Sequence, residues 1–265
     1  MLVKYFIEKD IKHSQLYIGG NAGLKISNKI NNAKKSIKIV SPYFGSDQVE
    51  QLIKKQYQNV DIQLISTDDN QDFRNPARSE IFRKIIIQDK YMLKEKKKIF
   101  DVLKIFVRIY TSLYIIILGL LLYLQLNSIY TFLFQYKYLI GAFVLIIPIM
   151  HKLYKSIKVF SYEYKTLFPI VFIKKPSFYS NSEIWGCEST FVHSKIYIID
   201  GEIAYVGSSN FTNSGFIYNH ETRLTIEDKE TIIKLSKYFD ELYQNYWDKV
   251  DIKELGKKIY KEPIN

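Results

Sequence analysis

The sequence predicts an α/β domain with a mixed β-sheet flanked by helices, interrupted by a two-helix transmembrane hairpin. Three observations carry this reading. Strand and helix patterns alternate over residues 15–66, a nearly uncharged run fills residues 109–150, and strand patterns resume after it.

In the first part, residues 15–18 predict a short strand broken by Gly19–Gly20. Asn21 is placed to cap a helix running to about residue 33, with Leu24, Ile26 and Ile30 at roughly helical spacing. Residues 36–40 are β-branched and alternate, so they predict a strand that stops at Ser41–Pro42. A helix over 46–56 and a strand over 60–66 follow. From 76 to 108 the pattern is that of one long charged helix, with a basic cluster at Lys94, Lys96, Lys97 and Lys98.

Composition then shifts. Residues 109–150 contain one charge, Lys137. A membrane helix takes about 20 apolar residues, so two spans are expected, about 109–126 and 130–150, with a turn near Asn127–Ser128. The alternative is a buried helical hairpin of a soluble domain. Lys94, Lys96, Lys97, Lys98, Lys104 and Arg108 precede the run and Lys152, Lys155 and Lys158 follow it, which sets both ends on the cytoplasmic side. The α/β halves must rejoin on that same side. The expected organisation is therefore 1–75, first part of the α/β domain; 76–160, inserted helix and hairpin; and 161–265, second part. The expected location is a membrane, with the α/β domain on its cytoplasmic face.

Beyond the insertion, residues 168–173 predict a buried strand and 175–190 a looser segment. Residues 191–199 and 202–208 predict two strands around Asp200–Gly201, a dipeptide that favours a two-residue hairpin turn. Residues 220–226 add a strand. Asp228 caps a last helix to about residue 247, with Ile232, Leu235, Phe239, Leu242 and Tyr246 along one face.

The bulk numbers limit the function classes. Hydrophobic residues make up 47% and charged residues 25%, ordinary globular usage that argues against disorder. The net charge of +11 favours an anionic partner, nucleic acid or an anionic lipid surface, without choosing between them. A single cysteine, Cys187, excludes an internal disulfide and a cysteine zinc cluster, and a bland thiol is the simpler reading of it. Residues 1–10 carry Lys4, Glu8, Lys9 and Asp10 with no apolar stretch, so no signal peptide is expected there. His13, His151 and His220 lack the spacing of a metal site, and neither metal nor cofactor is expected.

The chemistry concentrates in residues 193–210. On an alternating strand His193 and Lys195 share one face. An imidazole beside an ammonium suits attack on a phosphodiester, the first as nucleophile and the second as counter-charge for the phosphate oxygens. The next strand delivers Ser208 and Asn210 as further donors, and Gly207 permits close backbone approach. His220, next to Glu221, is expected to face away.

The spacing His-x-Lys-x4-Asp-x6-Gly-Ser-x-Asn resembles the signature of the phospholipase D superfamily, matched by His193, Lys195, Asp200, Gly207, Ser208 and Asn210. Glu221, with Asn219 before it, stands where many members carry an acidic residue. Ser41-Pro42-Tyr43-Phe44 resembles the family's opening strand and turn. The resemblance covers roughly 15–66 and 168–247, and the hairpin departs from the usual domain. It implies a metal-independent reaction through a phosphohistidine on His193, with Lys195, Ser208 and Asn210 holding phosphate. It also implies that Glu221 orients an imidazole. Asp200 is a catalytic candidate by motif position, though a turn-shaping role fits it better.

The family mechanism uses a second histidine, from a second motif copy, to protonate the leaving oxygen. This chain has one motif, so an isologous homodimer with two facing His193 side chains is expected. Membrane attachment favours phospholipid as substrate, by hydrolysis or phosphatidyl transfer. The alternatives are a membrane-tethered endonuclease cutting DNA or RNA and a silent scaffold.

Overall fold

A computed structural model of the chain describes residues 14–68, 76–123, 137–174, 192–245 and 249–260. Its strands are β1 (Ser14–Gly19), β2 (Ser36–Val40), β3 (Asp61–Thr67), β4 (Ile86–Met92), β5 (Phe160–Thr166), β6 (Ile170–Ile173), β7 (Lys195–Ile199), β8 (Ile203–Gly207) and β9 (Glu221–Ile226). The helices are α1 (Leu24–Asn32), α2 (Ser46–Gln56), α3 (Pro76–Ile85), α4 (Lys94–Tyr123), α5 (Lys137–Ser156), α6 (Lys229–Asn245) and α7 (Ile252–Tyr260). The backbone divides into two units, one comprising the described residues up to Gln88 and from Tyr164 onward, the other Asp89–Glu163.

The first unit is built on a seven-stranded mixed sheet in the order β1-β9-β8-β7-β2-β3-β6. β2, β3 and β6 run parallel, whereas β7, β8, β9 and β1 join by antiparallel pairing. The sequence explains this split. The parallel strands are rich in isoleucine and valine and largely buried, as strands covered on both faces must be. α6 covers one sheet face, where Ile232, Leu235 and Phe239 meet Val40, Ile65, Ile196, Ile198 and Ala204. The opposite face carries Tyr197, against which Phe211 and Phe216 pack at 6.0 and 5.8 Å between ring centroids.

Several elements follow the sequence closely. β2 and α2 match the expected bounds, and Asp228 caps α6 by accepting the Thr231 N–H at 2.8 Å. Asp200 and Gly201 have φ of 56° and 67°, the positive pair that a tight hairpin turn of this kind requires.

Other elements differ. The expected helix over 76–108 is interrupted by β4, because Ile85, Ile86 and Ile87 form a β-branched run that finds a strand to pair with in β5. α3 belongs to the first unit rather than to the insertion. Asn21 is not a helix cap. It sits at φ 60° and donates its N–H to Ile217 O, while Gly23 holds the cap position. β7 starts only at Lys195, two residues beyond His193. α7 has no counterpart in the sequence reading. Residues 175–191, including Cys187, lie outside the described residues, as do His13 and the turn near Asn127–Ser128.

In the second unit α4 and α5 pack on each other, with the rings of Phe100 and Tyr154 5.5 Å apart. The expected spans are not supported: among the described residues no helix is long and apolar enough to cross a membrane. Residues 124–136 of the uncharged run lie outside the described residues.

Candidate active site

Three strand ends meet at one end of the sheet, and the motif residues lie there. β7 begins with Lys195, which pairs across to Gly207 at the end of β8, and Gly207 in turn pairs with Arg223 of β9. Ser208 continues the ladder, donating its N–H to Thr222 O at 3.1 Å. Position 207 must be glycine for this approach, since a Cβ there would lie 2.0 Å from the Thr222 carbonyl oxygen.

Lys195 is 5% exposed. Its Nζ lies 2.9 Å from Nδ1 and 3.1 Å from Nε2 of His193 and donates to the His193 carbonyl oxygen at 2.8 Å. The His193 side chain is at the surface of the site. Partial burial, together with the positive charge of Lys195, lowers its pKa below the ordinary histidine value of 6.5. Burial also lowers the pKa of Lys195 from 10.5, and the charge of Glu221 opposes that shift. The site thus favours a neutral imidazole beside an ammonium.

Glu221, 8% exposed, opens β9. Its Oε2 accepts the Ser208 hydroxyl in a very short contact, and its Oε1 accepts the Asn219 side-chain amide at 3.0 Å. Ser208 Oγ itself accepts the Thr222 N–H at 2.9 Å. A serine hydroxyl has one proton to donate, and here it is committed to Glu221 rather than left for phosphate. Asn210 sits two residues past Ser208, and its Oδ1 is buried without a hydrogen-bond partner. The intervening Ser209 carbonyl is pinned by the Tyr197 hydroxyl at 2.7 Å.

Asp200 is not at this site. The five residues of β7 separate it from the Lys195 end by roughly 16 Å at ~3.3 Å per residue. Its carboxylate accepts the backbone N–H groups of Lys34, Lys35 and Ser36 at 3.1, 2.7 and 3.0 Å. Burial pushes its pKa up, but these three donors and the charge of Lys35 outweigh that and hold it below 3.8. The motif aspartate therefore ties the hairpin turn to the start of β2. His220 is exposed. No group of His, Cys, Asp and Glu able to hold a metal occurs among the described residues.

Sequence reasoning missed the part played by Ser41. Its Oγ accepts the Phe211 N–H at 3.0 Å and donates to Tyr43 O at 2.6 Å. The turn after β2 is thereby fixed to the loop carrying Asn210. Ser41-Pro42 was legible as a turn, but its contact 170 residues away was not.

Residues 26–111 and 156–243 match the family model described as cardiolipin synthase, PLD-like domain, leaving out a stretch within the two-helix unit. The chain is 36% identical over 59 residues to the probable cardiolipin synthase YwiE of Bacillus subtilis, and 33% identical over 87 residues to cardiolipin synthase 1 of Staphylococcus epidermidis. These matches take in 22% and 32% of this chain but only 12% and 16% of the two relatives. Among solved structures, Nuc from Salmonella typhimurium aligns with 90% of this chain and 98% of its own, at 14% identity and a TM-score of 0.45. NucT from Helicobacter pylori aligns with 91% and 99%, at 14% identity and a TM-score of 0.43. With its motif residues inside the matched segments, the chain belongs to the cardiolipin synthase, PLD-like domain family.

Proposed function

We propose that the chain transfers or hydrolyses phosphatidyl groups of phospholipids through a phosphohistidine on His193. The observation that carries this reading is the Lys195 ammonium lying within 2.9 Å of an imidazole whose pKa is lowered. A neutral ring keeps the lone pair that a nucleophile needs. An incoming phosphodiester draws the ammonium off the ring nitrogen and onto its own oxygens.

The steps balance as two displacements. A ring nitrogen of His193 attacks phosphorus, the bond to the leaving oxygen breaks, and that oxygen takes a proton. Water or an acceptor hydroxyl then attacks phosphorus, gives up its proton, and the P–N bond breaks. Lys195 and the Asn210 amide hold the phosphate oxygens throughout, so the charge is met by protein donors without metal. The proton donor is the second His193 of a homodimer, because each chain supplies one such motif. It enters the first displacement protonated while the attacking His193 is neutral, and takes a proton back from the water or hydroxyl in the second.

Phospholipid is favoured as substrate by the description of the family and by the names of the two curated relatives. The second unit adds support. Ile105, Phe106, Ile109, Leu113, Ile115 and Ile116 of α4 are exposed apolar side chains, and Lys94, Lys96, Lys97, Lys98, Lys104 and Arg108 lie on the same helix. Such a surface suits anionic lipid headgroups, at about 1 kcal/mol per basic residue near the surface.

The test compares rates on phosphatidylglycerol or cardiolipin vesicles with rates on single-stranded DNA, in the presence of chelator. The expected result is lipid turnover that chelator leaves unchanged. A nucleic-acid rate orders of magnitude larger, lost in His193→Ala, makes the chain a nuclease. A monomer with full specific activity in mild detergent overturns the dimer.

A further inference from the structure

Glu221 is an acidic side chain with almost no solvent, so its orientation depends on the donors around it. Two side chains supply them, Ser208 to Oε2 and Asn219 to Oε1. Asn219 is itself held. Its backbone N–H bonds to Ser214 O at 2.8 Å, closing a π-helical turn over Ser214–Tyr218. That turn is seated by Phe216, whose ring packs 5.6 Å from Phe211 and 5.8 Å from Tyr197. An α-helical turn would have closed one residue earlier and swung the next side chain about 100° away. Wide turns of this kind recur at functional sites.

We propose that Asn219 is a positioning residue which, with Ser208, fixes the Glu221 carboxylate at the strand ends that carry Lys195 and His193. Asn219 touches no reacting atom. The proposal rests on the phosphohistidine reading above and names what holds Glu221 at that site.

The groups acting on Lys195 support it. His193 Nδ1 lies 2.9 Å from its Nζ, and the charge of Glu221, one hydrogen bond from Ser208 at the neighbouring strand end, acts on it. Tyr197, beside it on β7, has its hydroxyl bonded to Ser209 O, and burial keeps it protonated. Arg223 of β9 is directed to Ala22 O and stacks over Tyr17. Glu221 is thus the carboxylate that offsets the burial of Lys195.

The test is steady-state hydrolysis of bis(p-nitrophenyl) phosphate by the full chain across pH, with Asn219→Ala, Asn219→Asp and His193→Ala. For Asn219→Ala, kcat is expected to fall about 10- to 100-fold with KM nearly unchanged. The two Asn219 variants are expected to move the alkaline limb of kcat/KM in opposite directions. Alanine frees Glu221 and shifts the limb to lower pH, whereas aspartate adds a second negative charge and shifts it higher. A merely structural role gives no such opposed pair. If both variants fold, keep kcat within two-fold and leave the limb in place while His193→Ala is inactive, the Asn219 assignment is overturned alone. Turnover by His193→Ala overturns the phosphohistidine reading beneath it.

Discussion

The backbone N–H of Phe211 donates to the hydroxyl oxygen of Ser41 at 3.0 Å, across 170 residues of sequence. The bond joins the turn after β2 to the loop after β8, and a bridge between Phe44 and Phe211 with Gly45 N–H on Phe211 O at 2.7 Å completes the seam. Asn210 immediately precedes Phe211, so its placement depends on this seam.

Ser41→Ala should therefore affect both stability and activity. It leaves the Phe211 N–H without its acceptor in a buried position, at a cost of about 1–3 kcal/mol. Thermal unfolding should shift down accordingly, and kcat should fall in the folded protein because Asn210 loses its register. Unchanged kcat with a lowered Tm would confine Ser41 to a structural role.

Asp200→Ala separates turn from chemistry. The variant loses an acceptor for three backbone N–H groups, which should cost on the order of 2–3 kcal/mol, while the specific activity of the folded enzyme stays near wild type. The sign with pH follows from the depressed pKa. The stabilisation is present above the unfolded-state value near 4 and is lost as pH falls through the lower folded value. Denaturation curves of wild type and variant should converge at low pH, and a persistent gap there would contradict the assignment.

Gly207→Ala tests the close approach of β8 and β9. The added carbon meets backbone oxygen, which cannot rotate away. A loss near the upper end of the roughly 1–3 kcal/mol seen for overpacking is expected, with disturbed protection of the Ser208 amide in hydrogen exchange. Near-normal stability would show that the strands can separate there at little cost.

The pH dependence of the reaction follows from two lowered pKa values. For kcat/KM, the acid limb should lie below 6.5, where His193 protonates, and the alkaline limb below 10.5, where Lys195 loses its proton. In Lys195→Ala the neighbouring charge is gone, so the His193 ring should titrate at higher pH by NMR. A ring pKa that stays put would remove Lys195 as a cause.

Much of the site was legible because its residues are local in sequence. His193, Lys195, Ser208 and Asn210 occupy two adjacent strand ends whose hairpin is announced by Asp200–Gly201, so spacing alone brings them together. Glu221 lies one strand further and also follows from antiparallel pairing. The non-local features were not legible. β4 depends on pairing with β5 across the whole insertion, and Ser41 depends on Phe211. The role of the Ser208 proton depended on which neighbour lay nearest, and periodicity does not encode that. The uncharged run at 109–150 suggested membrane spans, but among the described residues no helix is long and apolar enough to be one, and residues 124–136 lie outside them.

The central claim is a covalent intermediate on His193, and trapping that intermediate tests it most directly. The enzyme is quenched under alkaline conditions during turnover of a phosphodiester, and the peptide containing His193 is analysed by mass spectrometry. The account predicts an acid-labile, alkali-stable phosphoryl adduct on His193, formed within the first turnover and absent from His193→Gln. Full turnover by His193→Gln, or turnover with no adduct on any histidine, would contradict it.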